Sequence, residues 1–232
     1  MSKFYACLFS LTLATQAQAA EWKGEGDLGF SQVSGNSESK SLNAAVSAGY
    51  DTGAKWKHLL SLNAFNASQD DDRSAESYGL SFSSDYAINE TTYASGNLRY
   101  VTDKFSGYES QTALAATLGR HFIDDGITLL DGEIGAGYRL SELITGEDEN
   151  EAVATAKAVF NRKLTDSTNF ESNLLLESGS SNTYIEGGVA LKVSMTETLA
   201  LKLAYIAKHN TDVPVDTDKT DRFTTVSLNY TF

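Results

Sequence analysis

The sequence predicts an all-β chain folded as an antiparallel, up-and-down transmembrane β-barrel of about twelve strands, with both termini on the periplasmic side. Three observations carry that expectation. The chain begins with an export-type leader, it alternates apolar and small polar residues in about twelve segments, and it finishes on such a segment. In that last stretch, Arg222 to Phe232 (RFTTVSLNYTF), Thr224, Val226, Leu228, Tyr230 and Phe232 share one face while Thr225, Ser227, Asn229 and Thr231 share the other. A period of two with one apolar and one small polar face is the pattern of a lipid-facing barrel strand.

The leader spans residues 1–19, leaving 20–232 as the barrel domain. Lys3 supplies a basic n-region, Phe4 to Ala14 an apolar core, and Ala17-Gln18-Ala19 a small-x-small cleavage site. The apolar core is shorter than the ~20 residues of a transmembrane helix. The single cysteine, Cys7, falls inside the leader, so the exported chain is expected to hold no disulfide and no cysteine metal site.

Composition removes other classes. A formal charge of −13 opposes nucleic-acid binding, which needs clustered Lys and Arg against phosphates. After the leader no apolar run is long enough for a helical span. The only proline is Pro214, which leaves every candidate strand free of a ladder-breaking residue.

Taken in order, the outward faces are Trp22-Gly24-Gly26-Leu28-Phe30, then Leu42-Ala44-Val46-Ala48-Tyr50, then Trp56-His58-Leu60-Leu62-Ala64. Tyr78, Leu80, Phe82 and Tyr86 mark the fourth strand, Ala94 to Tyr100 the fifth, Leu114 to Phe122 the sixth, and Leu130 to Tyr138 the seventh. Ala154 to Phe160, Phe170 to Leu176, Ile185 to Val193 and Leu199 to Tyr205 supply the eighth to the eleventh. Short turns are expected at Asp51–Ala54, Ala87–Glu90, Ile123–Gly126, Thr165–Ser167 and Met195–Thr198. Longer polar links are expected at Ser34–Ser39, Ala67–Ala75, Thr102–Glu109, Ser141–Asn150 and Lys208–Lys219, with a shorter one at Gly179–Asn182. Short turns on one side and long loops on the other is the outer-membrane arrangement. Aromatic residues support it: Trp22, Tyr50, Trp56, Tyr86, Phe122, Phe160, Phe170, Tyr230 and Phe232 fall beside short turns, and Tyr78, Tyr100, Tyr138 and Tyr205 at the opposite ends. These are two interfacial girdles.

The long links are acidic, with Asp70, Asp71 and Asp72 in one, Glu147, Asp148, Glu149 and Glu151 in another, and Asp212, Asp216, Asp218 and Asp221 in the last. They read as solvated, mutually repelling loops, with capture of divalent cations beside lipopolysaccharide phosphates as the second reading. By parity Lys57, Arg99, Arg139, Lys157, Lys192 and Lys202 point into the barrel, as do Asp131, Glu133, Glu171, Glu177 and Glu186. Nearly balanced signs fit either a cross-strand salt-bridge network, with Lys157 and Glu171 as one such pair, or the constriction of a charge-selective pore. Catalysis is not expected: His58, His121 and His209 are the only histidines, and none stands beside a nucleophile motif. No cofactor and no metal site is expected.

The early W-x-G-x-G-x-L-G strand (Trp22, Gly24, Gly26, Leu28, Gly29), the Ser34-Gly35-Asn36 turn, the tight Tyr50–Trp56 hairpin and the closing L-N-Y-T-F resemble the YdiY-like family of salt-induced outer-membrane proteins. The likeness runs over essentially the whole exported chain. It implies residence in the bacterial outer membrane and a link to salt or osmotic stress, and it brings no catalytic or binding residues. The expected function is a small, stress-related pore. The alternatives are a structural or surface-interaction barrel with a closed lumen and, last, a lipid-modifying enzyme. Val226, Leu228, Tyr230 and Phe232 form the expected assembly signal for the barrel-assembly machinery. Lipid and lipopolysaccharide are the remaining expected partners.

Overall fold

Every strand of the protein pairs antiparallel with its sequence neighbours, and the first also pairs with the last, so the sheet closes into one twelve-stranded barrel. This computed structural model describes residues 20–33, 39–69, 72–103, 107–215 and 217–232. Residues 1–19, expected as a leader, the expected turn at Ser34-Gly35-Asn36, and Asp70, Asp71 and Asp216 lie outside the described residues. The strands are β1 (Glu21–Val33), β2 (Ser39–Asp51), β3 (Trp56–Gln69), β4 (Asp72–Ala87), β5 (Thr92–Asp103), β6 (Tyr108–Asp124), β7 (Thr128–Leu143), β8 (Asp148–Lys163), β9 (Thr168–Ser178), β10 (Thr183–Ser194), β11 (Leu199–Asn210) and β12 (Thr220–Thr231).

The barrel is inside-out relative to a water-soluble protein. Leu28, Phe30, Leu114, Ile134, Leu203 and Val226 stand exposed on the outer wall, whereas Arg139, Asn182 and Asn229 are the largest fully buried side chains. An apolar outer belt around a polar interior matches a hydrocarbon surround. At the short-turn rim, Trp22 packs on Tyr50 (4.5 Å between ring centroids), Trp56 on Tyr86 (5.0 Å), and His58 stacks between Tyr50 and Trp56. This continuous aromatic stack follows β1 to β4, as a girdle requires.

The turns at that rim are short, at residues 52–55, 88–91, 125–127, 164–167 and 195–198. Gly53 and Gly126 take the left-handed conformation there, with φ of 69° and 78°. The opposite rim departs from expectation. β3 runs to Gln69 and β4 resumes at Asp72, while β7 runs to Leu143 and β8 resumes at Asp148. Much of what reads as long polar loop in the sequence is therefore strand. The ~9–11 residues that cross a bilayer are exceeded by β6, β7 and β8, at 17, 16 and 16 residues. These ladders continue beyond the apolar belt with polar residues on both faces, so alternation fails while hydrogen bonding persists. The one long connection among the described residues is 211–219, between β11 and β12.

The β1–β12 seam is short. Its register runs from Glu25↔Thr231 to Leu28↔Leu228 only, extended by reciprocal backbone bonds between Gly24 and Phe232 at 2.9 and 3.0 Å. On its other edge β12 is paired with β11 from Tyr230 as far as Thr220.

Candidate functional site: a half-filled lumen

Side chains at inward positions gather into three polar clusters. The first lies under the long-loop rim, against the tall wall of β6–β8. Arg139 on β7 is fully buried and donates to the Glu151 carboxylate, to the Asn182 carbonyl at 2.5 Å and, through Nη1, to the Glu177 carbonyl at 3.4 Å. Glu151 also accepts the backbone N–H of Ser181 at 2.7 Å. Glu177 on β9 receives both Nε and Nη2 of Arg99 from β5, at 3.1 and 2.5 Å. That bidentate pair skips the three strands β6, β7 and β8 of the wall, so it spans the lumen. The Arg99 guanidinium lies 4.5 Å over the Tyr184 ring, and the Tyr184 hydroxyl donates to Glu186 at 2.6 Å.

Asn182 fastens the 211–219 connection across this side of the mouth. Its Oδ1 accepts the Asp212 N–H at 3.1 Å, and its Nδ2 donates to Asn210 at 2.7 Å. The connection reaches β6, where the Tyr108 hydroxyl donates to the Asp212 carbonyl at 3.2 Å. A side chain at Gly107 would press on Val213 and Pro214. The wall of β6–β8 is thereby bonded to a strap that comes from five strands away.

The second cluster lies lower on the same side. Glu133 accepts hydrogen bonds from Thr117 (2.8 Å) and Tyr93 (3.2 Å) and pairs with Lys157 at 3.2 Å. His121 meets Asp131 at 2.7 Å. The third cluster stands at the seam: Lys192 pairs with Glu25 (3.0 Å), and Lys202 with Asp27 (3.3 Å) and Glu171 (3.5 Å). Asn229 of β12 donates to Asp27 at 2.8 Å.

Of the residues picked out by parity, Arg99, Asp131, Glu133, Arg139, Lys157, Glu171, Glu177, Glu186, Lys192 and Lys202 all fall in these clusters. Lys57 does not; it stays solvent-exposed at the short-turn rim beside Asp51, at 3.6 Å. Lys157 and Glu171 are not brought together, because Lys157 takes Glu133 and Glu171 takes Lys202. Asn229 stands on the inward face of β12, as its alternation predicts, whereas sequence reasoning missed Glu25 and Asp27 as lumen partners and assigned Glu151 to a solvated loop. Parity would have found Glu25 and Asp27, since they alternate with the outward residues of β1. His58 belongs to the outer aromatic stack, and His209 contacts Thr220 at 2.8 Å. Among the described residues no group of three or more His, Cys, Asp or Glu is placed to hold a metal ion.

Between these clusters the lumen stays open, along a space lined from β1–β5 and from β9–β12. This cavity has a volume of about 360 Å³, and Asn43, Asn63, Phe65, Asn173, Phe223 and Lys202 line it, with Arg99 and Glu186 of the first cluster at its border. Three cross-strand pairs smooth its wall: Asn43 lies on Gly29, Asn63 on Gly79 and Asn173 on Gly188, each amide occupying the space a Cβ would need. Phe65 and Phe223 meet edge to face within it, at 5.0 Å. The site is a mixed surface of aromatic rings, methyl groups and amides over a floor of mutually paired charges.

The barrel has the fold of outer-membrane porins and channels. It superposes on the COG4313 outer membrane channel from Pseudomonas putida F1 with a TM-score of 0.54, covering 94% of this chain and 98% of that one at 12% identity. It matches the NanC porin with a TM-score of 0.52, covering 89% and 97% at 10% identity. In sequence it is 30% identical to the uncharacterized protein YdiY of Escherichia coli strain K12 over 223 residues, which is 94% of this chain and 87% of YdiY. The model of a family described as proteins of unknown function, DUF481, matches residues 26–232. The chain therefore belongs to the DUF481 family.

Proposed function

We propose that the protein resides in the bacterial outer membrane, exported by its leader, and works there as a narrow passive channel for small solutes. The single observation that carries this reading is that the hydrogen-bonded charge clusters do not fill the lumen: they leave between them a cavity of about 360 Å³. A barrel that served only as a structural element would have no reason to line such a cavity with glycines under flat amides. The short-turn rim and both termini face the periplasm, the strap 211–219 faces outward toward lipopolysaccharide, and the barrel-assembly machinery inserts the chain. The link to osmotic stress belongs to the same proposal and rests on the family resemblance alone. The protein is not an enzyme in this reading.

The second reading, a structural barrel closed by salt bridges, draws on the Lys202–Asp27 and Lys192–Glu25 pairs that floor the cavity. Planar-bilayer recording separates the two. The channel reading expects discrete conductance steps, and it expects the double substitution Phe65→Ala with Phe223→Ala to enlarge them, because those rings narrow the cavity. Silent bilayers containing verified folded protein would sink it in favour of the closed barrel.

A further inference from the structure

The β1–β12 seam stops where a complete barrel would continue it. Hydrogen-bonded pairs recur every second residue in an antiparallel ladder. Gly24 and Phe232 are one such pair, so Gly26/Tyr230 and Leu28/Leu228 follow, and Phe30/Val226 would be next. That pair is absent from the register. Thr231 donates its N–H to Thr198 of the turn before β11, at 2.8 Å. Odd-numbered residues of β12 therefore turn to β11, and the even-numbered Val226 and Thr224 turn their N–H groups to an edge that gives them no ladder partner. A side chain at Gly29 would overlap the Val226 carbonyl, so β12 lies against the lumen side of β1 there. The two edges overlap like shutters without being laced together.

This matters because of where the overlap lies. Phe30 and Val226 are exposed on the outer apolar wall, at 65% and 54%. On the inside, Asp27, Asn43 and Ala45 from one edge and Phe223, Thr225 and Ser227 from the other line the cavity. An unlaced strand edge in hydrocarbon is unfavourable, since no water satisfies its backbone groups. All other seams are bonded over ten or more positions, which makes this interruption specific to one place.

We propose that the unlaced half of the β1–β12 seam is a lateral opening through which small, uncharged, mainly apolar molecules pass between the lumen cavity and the surrounding lipid. The inference rests on the channel reading above and gives that channel a second exit. The ligand class follows from the lining. The floor charges are already paired with one another, so an ionic solute would have to displace a partner. The rings of Phe65 and Phe223 offer an apolar body its contact, with the Lys208 ammonium, 5.2 Å from the Phe223 ring centre, as a cation beside them. Parting the shutters breaks no ladder hydrogen bond beyond Leu28/Leu228.

The test is a bridge across the seam. The double substitution Phe30→Cys with Val226→Cys is made in the full chain, whose natural cysteine, Cys7, falls in the leader. Whole Gram-negative cells carrying the protein take up N-phenyl-1-naphthylamine, an uncharged dye that brightens in lipid and is held back by an intact lipopolysaccharide leaflet. The expected result is uptake above that of cells lacking the protein, loss of that increment when the cysteines are joined by oxidation or a short bifunctional thiol reagent, and recovery on reduction of the disulfide. Bilayer conductance of the bridged protein should be unchanged. Protein-dependent uptake that survives a verified bridge overturns the lateral opening and leaves the channel reading standing. Silent bilayers with bridge-sensitive uptake overturn the axial channel and leave the opening. A second measurement needs no substitution: in amide exchange of the folded protein, Phe30, Thr224 and Val226 should exchange well before Gly26, Leu228 and Tyr230. Equal protection would refute the unlaced seam.

Discussion

Arg139→Ala is expected to destabilise the folded barrel by about 3 kcal/mol, at the lower end of the range for breaking a buried ion pair. The side chain has no solvent exposure and donates to Glu151, to the Asn182 carbonyl and to the Glu177 carbonyl. Its removal leaves Glu151 buried without a cation, while Glu177 keeps the bidentate Arg99. Glu151 also keeps the Ser181 and Asn182 N–H donors, which moderates the loss. Because an ion pair replaced as a unit costs far less than one broken in half, Arg139→Met combined with Glu151→Gln should recover much of the stability. Urea unfolding of the protein in lipid vesicles, read by gel mobility with and without heating, measures both. A single variant as stable as the parent, or a double variant no better than the single, would contradict the assignment.

Removing Phe232 is the second large effect. The residue closes the seam: its N–H and carbonyl exchange bonds with Gly24, its ring fills the space over that glycine, and it stacks on Tyr230 at 6.1 Å. Two net backbone hydrogen bonds contribute roughly 2 kcal/mol. On a long ladder that would be absorbed. Here the register spans only four further pairs, so the loss falls on the one junction that makes the barrel a closed sheet. The truncated chain should yield a much smaller heat-modifiable, protease-resistant fraction than the parent. Gly24→Val should do the same with Phe232 present, because a side chain there displaces the ring. Normal folded yield from either variant would show that the seam is held by something else.

The strand alternation made much of this legible. Parity assigned Arg99, Arg139, Glu177 and Lys202 to the interior, and aromatic spacing located the stack that joins Trp22, Tyr50 and Trp56. What alternation cannot reveal is who meets whom across the lumen. That depends on the stagger between strands, which sets Arg99 of β5 opposite Glu177 of β9 and gives Lys157 to Glu133 instead of Glu171. Glu151 was hidden by its neighbours, since Glu147, Asp148 and Glu149 make the segment read as solvated loop. It is strand because β8 carries its hydrogen bonding above the apolar belt, where no outward apolar residue marks it. The short seam was illegible for a related reason. Val226 and Phe30 alternate as well as any paired residue, and only the register shows that their strands part company after Leu28 and Leu228.

The aromatic stack at the short-turn rim has a spectroscopic consequence. The chain has two tryptophans, Trp22 and Trp56, and both lie in that stack on β1 and β3, within one group of rings that also holds Tyr50 and Tyr86. Indole emission from this protein is thus a local gauge of a single patch at a single depth. Lipids brominated at successive positions along the acyl chain should dim both fluorophores together, with one depth giving the strongest quenching. The time course of that dimming during insertion would register the arrival of β1–β3 at their interface, and would be blind to the strap and the Arg139 cluster at the far end.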